Sequence, residues 1–277
     1  DRLNGPLCDA VTFQTEGRAK LESLQRGNLF IIPLDDKRHW YRYHHLFADV
    51  LHMHLVTEQP DLVPILHYRA SEWYEENNLT ADAIHHALTG GNFNRAAELI
   101  ERALPVMRQS RQEATLLGWL KALPEEMLQN HPVLNVNYAG TLMQNGQFDG
   151  VEARLRDIEQ WLAAPEDIRI QPVYVNDEDF QRLPSSVAMY QAAIALARGD
   201  VANAMKHSRK VLELSRTDDD FPRGAASSLL GLAYWTSGDL ETAYQMFNSG
   251  MNHLQKVGFI SDVIGGSITL ADIRITQ

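Results

Sequence analysis

From about residue 44 onward the apolar positions recur at steps of three and four. Leu66, Ala70, Trp73 and Tyr74 share one side of a helix, as do Leu99, Ala103 and Val106. Leu229, Leu232, Ala233 and Phe247 repeat the pattern across a later pair. Such spacing gives each helix one buried stripe. A recurrent turn signal stands between the stripes. Asn78/Ala83, Gly91/Ala96, Gly199/Ala204 and Gly238/Ala243 each set a turn-forming residue five positions before an alanine, and Gly146 precedes Val151 in the same way. A left-handed residue ends one helix, and a small side chain lets the next helix pack close to it. The pattern therefore predicts stacked helical hairpins, an architecture that binds more often than it catalyses. Pro64, Pro132, Pro184 and Pro222 stand at or just before expected helix starts, where a missing N–H costs nothing.

Residues 1–57 read differently. A short helix over 17–27 precedes an apolar strand at Leu29-Phe30-Ile31-Ile32. A turn at Asp35-Asp36-Lys37 leads to an aromatic strand at Trp40-Tyr41-Arg42-Tyr43, and a helix follows from His44 to about Val56. Helix, hairpin, helix is the winged-helix arrangement. Its join to the helical array is expected near Glu58-Gln59-Pro60, giving a partial winged-helix domain over 1–57 and a repeat domain over 58–277. Residues 163–184 are the one long stretch expected to be irregular, either a functional loop or a solvated connection.

Composition narrows the function classes. The 277 residues are 44% hydrophobic and 22% charged, ordinary for a globular protein. A formal net charge of −11 argues against a large nucleic-acid footprint on this chain. The single cysteine, Cys8, excludes an internal disulfide and a cysteine-based zinc knuckle, and suits a reducing cytoplasm. No apolar run approaches the roughly 20 residues that span a bilayer, so no membrane partner is expected. The chain opens at Asp1 rather than at Met, as an internal piece would.

Candidate chemistry is sparse. Among eleven histidines, His44, His45, His52 and His54 share one helix, but no His-Glu-x-x-His motif or carboxylate triad completes a metal site. No Ser/His/Asp or Cys/His arrangement emerges, and Ser185 and Ser186 read as helix caps. No catalytic residue and no metal ligand is assigned.

Leu230, Gly231, Tyr234, Gly238, Ala243, Phe247 and Gly250 follow the tetratricopeptide spacing, with a period of 39 between Gly199 and Gly238 instead of the usual 34. The fold class expected is all-α: a right-handed superhelix of tetratricopeptide-like hairpins behind a small N-terminal winged helix with a β-hairpin. Aligning the turn glycines puts Met143, Gln144, Met189, Leu196, Leu232, Trp235, Thr236, Asp272 and Ile275 on the concave side. Trp235 and Asp272, with Gln144 and Met189, are the ligand candidates, as an aromatic platform and an acid suit a sugar-like or cationic molecule. The alternative for Trp235 is inter-repeat core. The period also places the next turn at 278, so Ser261–Gln277 is expected to be a first helix whose apolar face is exposed, frayed or covered by a neighbouring molecule.

The long period, together with His39-Trp40-Tyr41-Arg42-Tyr43-His44-His45-Leu46-Phe47, Trp73-Tyr74-Glu75-Glu76 and Ala83-Ile84-His85-His86-Ala87-Leu88, closely resembles the MalT-like branch of the LuxR-family transcriptional regulators. These are signal-transducing ATPases with a nucleotide-binding domain, a winged helix, a superhelical repeat region and a DNA-binding helix-turn-helix. This chain has neither a phosphate-binding Gly-x-x-x-x-Gly-Lys-Ser/Thr loop nor a basic recognition helix. The resemblance therefore implies the middle of such a regulator, without cofactor or enzyme activity of its own. ATP or ADP and DNA would be bound by the regulator's other domains. It implies that His44 contacts ADP phosphate in the resting state, with adjacent His45 an open alternative and Arg42 a further phosphate contact. It also implies that an inducer or regulatory protein binds the superhelix and couples to ATPase and DNA-binding domains in the cytoplasm. Two other readings compete: a protein-interaction scaffold with no small-molecule ligand, and a hydrolase whose pocket the sequence does not reveal.

Overall fold

The computed structural model describes residues 2–165, 173 and 175–276. Two compact units divide it, one of 1–103 with 122–124 and the other of 104–121 with 125–277. The middle of the expected irregular stretch, with Pro172, lies outside the described residues.

The first unit opens with α1 (Gly5–Thr12) and α2 (Gly17–Arg26), followed by β1 (Ile31–Pro33) and β2 (Tyr41–Tyr43). The strands pair antiparallel with Ile31 opposite Tyr43 and Pro33 opposite Tyr41, and Leu3 bridges Tyr41 from the other side. The hairpin is shorter than its apolar run because Asn28 and Phe30 take positive φ, which breaks the extended chain before Ile31. Asp35 fixes the turn: its carboxylate accepts from the backbone N–H groups of His39 (3.0 Å) and Trp40 (2.7 Å). Those two bonds hold its carboxyl below the usual carboxylate range. Leu21, Ile31 and Tyr41 make the small core beneath the hairpin.

α3 (His45–Glu58) follows, and then the first helical hairpin, α4 (Leu62–Glu76) with α5 (Thr80–Thr89). Ala83 is fully buried at their contact, where Ser71 donates to the Ala83 carbonyl at 2.8 Å. The Ser71 hydroxyl also accepts from Arg95, whose other arm reaches Glu75. α6 (Phe93–Gln109) carries Pro105 inside it. Leu99 and Ala103 are buried as expected, but Val106 is exposed. Pro105 falls between them and removes a helix hydrogen bond, so the stripe does not continue in register past it.

The second unit adds α7 (Glu113–Ala122), α8 (Glu125–Asn130), α9 (Pro132–Gln144), α10 (Val151–Ala163), α11 (Asp177–Gln181), α12 (Leu183–Ala197) and α13 (Val201–Leu214). It ends with α14 (Asp220–Ser237), α15 (Leu240–Lys256) and α16 (Ile260–Thr276). Gly146, Gly199 and Gly238 all have φ between 70° and 87°, as the turn signal requires. After two of them an aspartate caps the next helix: Asp200 accepts from the N–H of Asn203 (3.1 Å), and Asp239 from that of Thr242 (3.2 Å). Ala204, Ala243 and Val151 are each fully buried five residues past the turn. Ser185 and Ser186 are not caps, because α12 starts two residues before Ser185, behind Arg182. Ser185 is buried and shares a hydrogen bond with Ser215 at 3.2 Å.

Candidate functional site

Two places gather the residues singled out above. The first is the corner between β2 and α3. His44 is the N-cap residue of α3; its N–H donates to the Phe30 carbonyl (2.7 Å), and its own carbonyl accepts from Phe47 and Ala48. Its ring is half-buried beside the exposed ring of His45, with centroids 4.4 Å apart. Strand alternation sets exposed Arg42 on the side opposite buried Tyr41. His44, His45 and Arg42 thus occupy one corner, with two imidazoles side by side.

The second is a cleft of about 500 Å³ in the second unit. Its walls are the first helices of successive pairs, α9, α12, α14 and α16. Met143 and Gln144 come from α9, Met189 from α12, and Leu232 from α14, while Gly265 of α16 leaves the space open and Gly266 packs closely on Met251. Of the ligand candidates, Gln144 and Met189 line this cleft. Trp235 does not: one turn beyond Leu232, it packs against the core of Ala243, Phe247, Met251, Leu254 and Ile273. Asp272 is exposed and away from the cleft lining, and Leu196, Thr236 and Ile275 are likewise absent from it. The structure therefore brings Gln144 and Met189 together and leaves Trp235 and Asp272 outside their cleft.

Sequence reasoning missed several lining residues. Phe221 and Phe259 stack at 4.8 Å at one end, and Met251 and Phe247 reach the floor from α15. Arg108, Arg111 and Glu113 arrive from the end of α6 and the start of α7. Arg111 bonds Asp262 at 3.1 Å and lies 3.6 Å from Glu113. These cations stand far in sequence from any turn glycine used to place the concave side, so the repeat spacing carried no signal for them.

A third cluster was also unforeseen. His67 and His86 face each other in the first unit, Nδ1 to Nδ1 at 2.9 Å, and His86 stacks on Tyr74 with centroids 5.2 Å apart. Burial first, and then the neighbouring His67, pushes His86 down to about 4; burial lowers His67 as well. Cys8 lines the same small cavity as His52, His67 and His86, and burial raises its thiol above the ordinary range, the opposite of a nucleophile's tuning. Among the described residues no group of three His, Cys, Asp or Glu side chains is placed to hold a metal ion. No helix among them is long and apolar enough to cross a membrane.

Comparison with known proteins agrees with the resemblance read from the residues. The family model for the MalT winged helix domain matches residues 1–63. The HTH-type transcriptional regulator MalT of Cronobacter sakazakii is 28% identical over 240 residues, 86% of this chain and 25% of that protein. MalT of Serratia proteamaculans is 28% identical over 245 residues, 88% of the chain and 26% of its own length. The serine/threonine-protein kinase PknK of Mycobacterium tuberculosis is 34% identical over 146 residues, 52% of this chain and 13% of the kinase. The chain thus spans about a quarter of the length of its MalT relatives. No solved structure matches it. By these matches the chain is MalT-like: residues 1–63 match the MalT winged helix domain model, and the chain as a whole is similar to the corresponding part of MalT-type transcriptional regulators.

Proposed function

We propose that this chain is the signal-sensing and interaction region of a MalT/LuxR-type transcriptional regulator, with a small-molecule inducer bound in the cleft between α9, α12, α14 and α16. The observation that carries the reading is that open cleft, on the first-helix side of hairpins that follow a MalT-type winged helix in sequence. A ligand that fits one arrangement of these helices better than another shifts the population toward it, and no chemical step is needed. In this reading the 1–57 winged helix and the 58–277 repeat region relay that shift to ATPase and DNA-binding domains of the regulator, in the cytoplasm. His44, with His45 and Arg42, then reports on ATP or ADP held by the ATPase domain. The paired rings at the β2–α3 corner support that role, since imidazoles donate hydrogen bonds to phosphate oxygens.

Thermal-shift screening of small metabolites against the 277-residue chain tests the sensing role. A true inducer at about a hundred times its Kd stabilises the chain by about 2.7 kcal/mol. A second reading, a protein-interaction scaffold without a small-molecule ligand, draws on the bare isoleucine face of α16, where Ile260, Ile264, Ile268 and Ile275 are all exposed. Silence across the metabolite screen, with tight binding of a regulatory protein that is lost on replacing those isoleucines, would establish the scaffold instead.

A further inference from the structure

Resting on the sensing role just proposed, the chemistry of the cleft goes further and selects a class of ligand. We infer that it takes an amphipathic organic anion, a carboxylate with an apolar body, whose charged end sits on Arg108. Most of the floor and walls is apolar, with Met189, Met251, Phe221, Phe247, Leu229 and Leu232, while Gln144, Tyr190 and Thr269 add polar groups. Methionine and phenylalanine adapt to an apolar body and supply no hydrogen-bonding group to hydroxyls. The Ser228 hydroxyl, also in the lining, already donates to the Gly224 carbonyl of its own helix at 2.8 Å.

The charges sort into a compensated group and one remainder. Arg111 sits between Asp262 and Glu113, so both of its neighbours in the cleft already draw on it. Arg108 is half-buried with its guanidinium 5.9 Å from the Phe221 ring centroid, and it makes no hydrogen bond or ion pair with any described residue. A neighbouring pocket that Arg108 also lines brings four aspartates near, each within 4 Å of another basic side chain, two of them sharing Arg182. Asp219 holds Arg182 at 2.6 Å, while Asp179 lies 3.9 Å from the same arginine. Asp220 holds His253 at 2.5 Å and Lys256 at 3.3 Å, and Asp218 holds Arg216 at 3.0 Å. The cleft therefore keeps one guanidinium without a direct hydrogen-bond or ion-pair partner among the described residues, beside a largely apolar surface. A guanidinium there matches a carboxylate through two parallel hydrogen bonds. About 500 Å³ is within the range of small-molecule sites.

Calorimetric titration of the 277-residue chain with decanoate, decanol, decyltrimethylammonium and a neutral trisaccharide tests the assignment. Decanoate is expected to bind about tenfold or more tighter than decanol, and the cation not at all. Arg108→Gln should bring decanoate to within about threefold of decanol without weakening decanol. Gly265→Leu should abolish both: a side chain there meets no atom within 4 Å of its Cβ, and it replaces glycine inside a helix. Methyl NMR of Met189 and Met251 locates the binding independently of any variant. Equal affinity for decanoate and decanol, or decanoate binding that leaves both methionine signals unmoved, overturns the anion assignment. If the trisaccharide binds and Gly265→Leu removes it while decanoate does not bind, the ligand class falls and the sensing role stands. If the whole metabolite screen is silent, it is the sensing role that falls.

Discussion

Gly231 on α14 faces Phe247 on α15 so closely that an added Cβ would lie 2.7 Å from the Phe247 backbone nitrogen and 2.9 Å from the Ala243 carbonyl oxygen. Gly250 stands in the same relation to the Gly224 carbonyl and the Ser228 nitrogen, both at 2.8 Å. Backbone cannot rotate out of the way as a long side chain can, so the helices would have to separate. Gly231→Ala is therefore expected to cost about 1–3 kcal/mol despite alanine's better helix propensity, read as a lower urea midpoint with unchanged slope. The His67–His86 pair sets a second expectation at this scale. One ring must donate and the other accept, so a proton taken up on the accepting Nδ1 breaks their bond. Both histidines titrate below the unfolded value of 6.5, His86 at about 4. Their contribution is complete above that unfolded value and is lost as pH falls toward 4. The chain should lose about 1–2 kcal/mol between pH 7 and 4.5 from this pair after allowance for its partial exposure, and His86→Phe should remove that share. Hydrogen exchange in α4 and α5 is the local readout. Sequence gave access to the glycines and not to the pair. Asn78, Gly91, Gly146, Gly199 and Gly238 all adopt positive φ, because a left-handed position restricts residue type. Arg111 and Phe30 adopt it too, and nothing in an arginine or a phenylalanine announces that. His67 and His86 lie on different helices nineteen residues apart, a juxtaposition that only packing creates.

Among the elements, α16 has two apolar faces with different fates. Ile273 is fully buried against α15, while Ile264, Ile268 and Ile275 are 64%, 66% and 82% exposed. The expectation for Ser261–Gln277 named exposure of such a face, and here the exposed isoleucines fall four and seven apart along one stripe. Ile264→Gln with Ile268→Gln should leave the unfolding temperature almost unchanged, since neither side chain is buried. Concentration-dependent self-association, followed by sedimentation, should fall. Helices with a clean stripe and a glycine stop were legible with near-correct ends, as for α15, expected after Gly238 and running from Leu240 to Lys256. The interrupted α6 was not: Pro105 shifts the exposed face without ending the helix, so Val106 belongs to a stripe by spacing and to solvent in fact. The acidic run Asp177-Glu178-Asp179 likewise becomes the first turn of α11, with Asn176 accepting from the Glu178 N–H at 3.0 Å. Acidic side chains suit a helix N-terminus, a preference that a reading for loops passes over.

At the scale of the molecule, the hairpin class and the MalT-like winged helix were legible because both are written in local spacing. The cleft was legible on one side only. Its helix-borne residues Met143, Gln144, Met189 and Leu232 followed from the repeat register, whereas Arg108 enters from a segment that the register does not describe. Trp235 was ambiguous because aromatic platforms and aromatic core residues share the same spacing, and it stands half-buried at the edge of the core cluster that holds Phe247 and Ile273, outside the cleft lining. One consequence follows from the glycine contacts between α14 and α15. With backbone against backbone at Gly231 and Gly250, that pair has no slack for sliding and behaves mechanically as a single strut. Under the proposed sensing role, a ligand between α12 and α16 is expected to move that strut as one piece and not to pry its two helices apart.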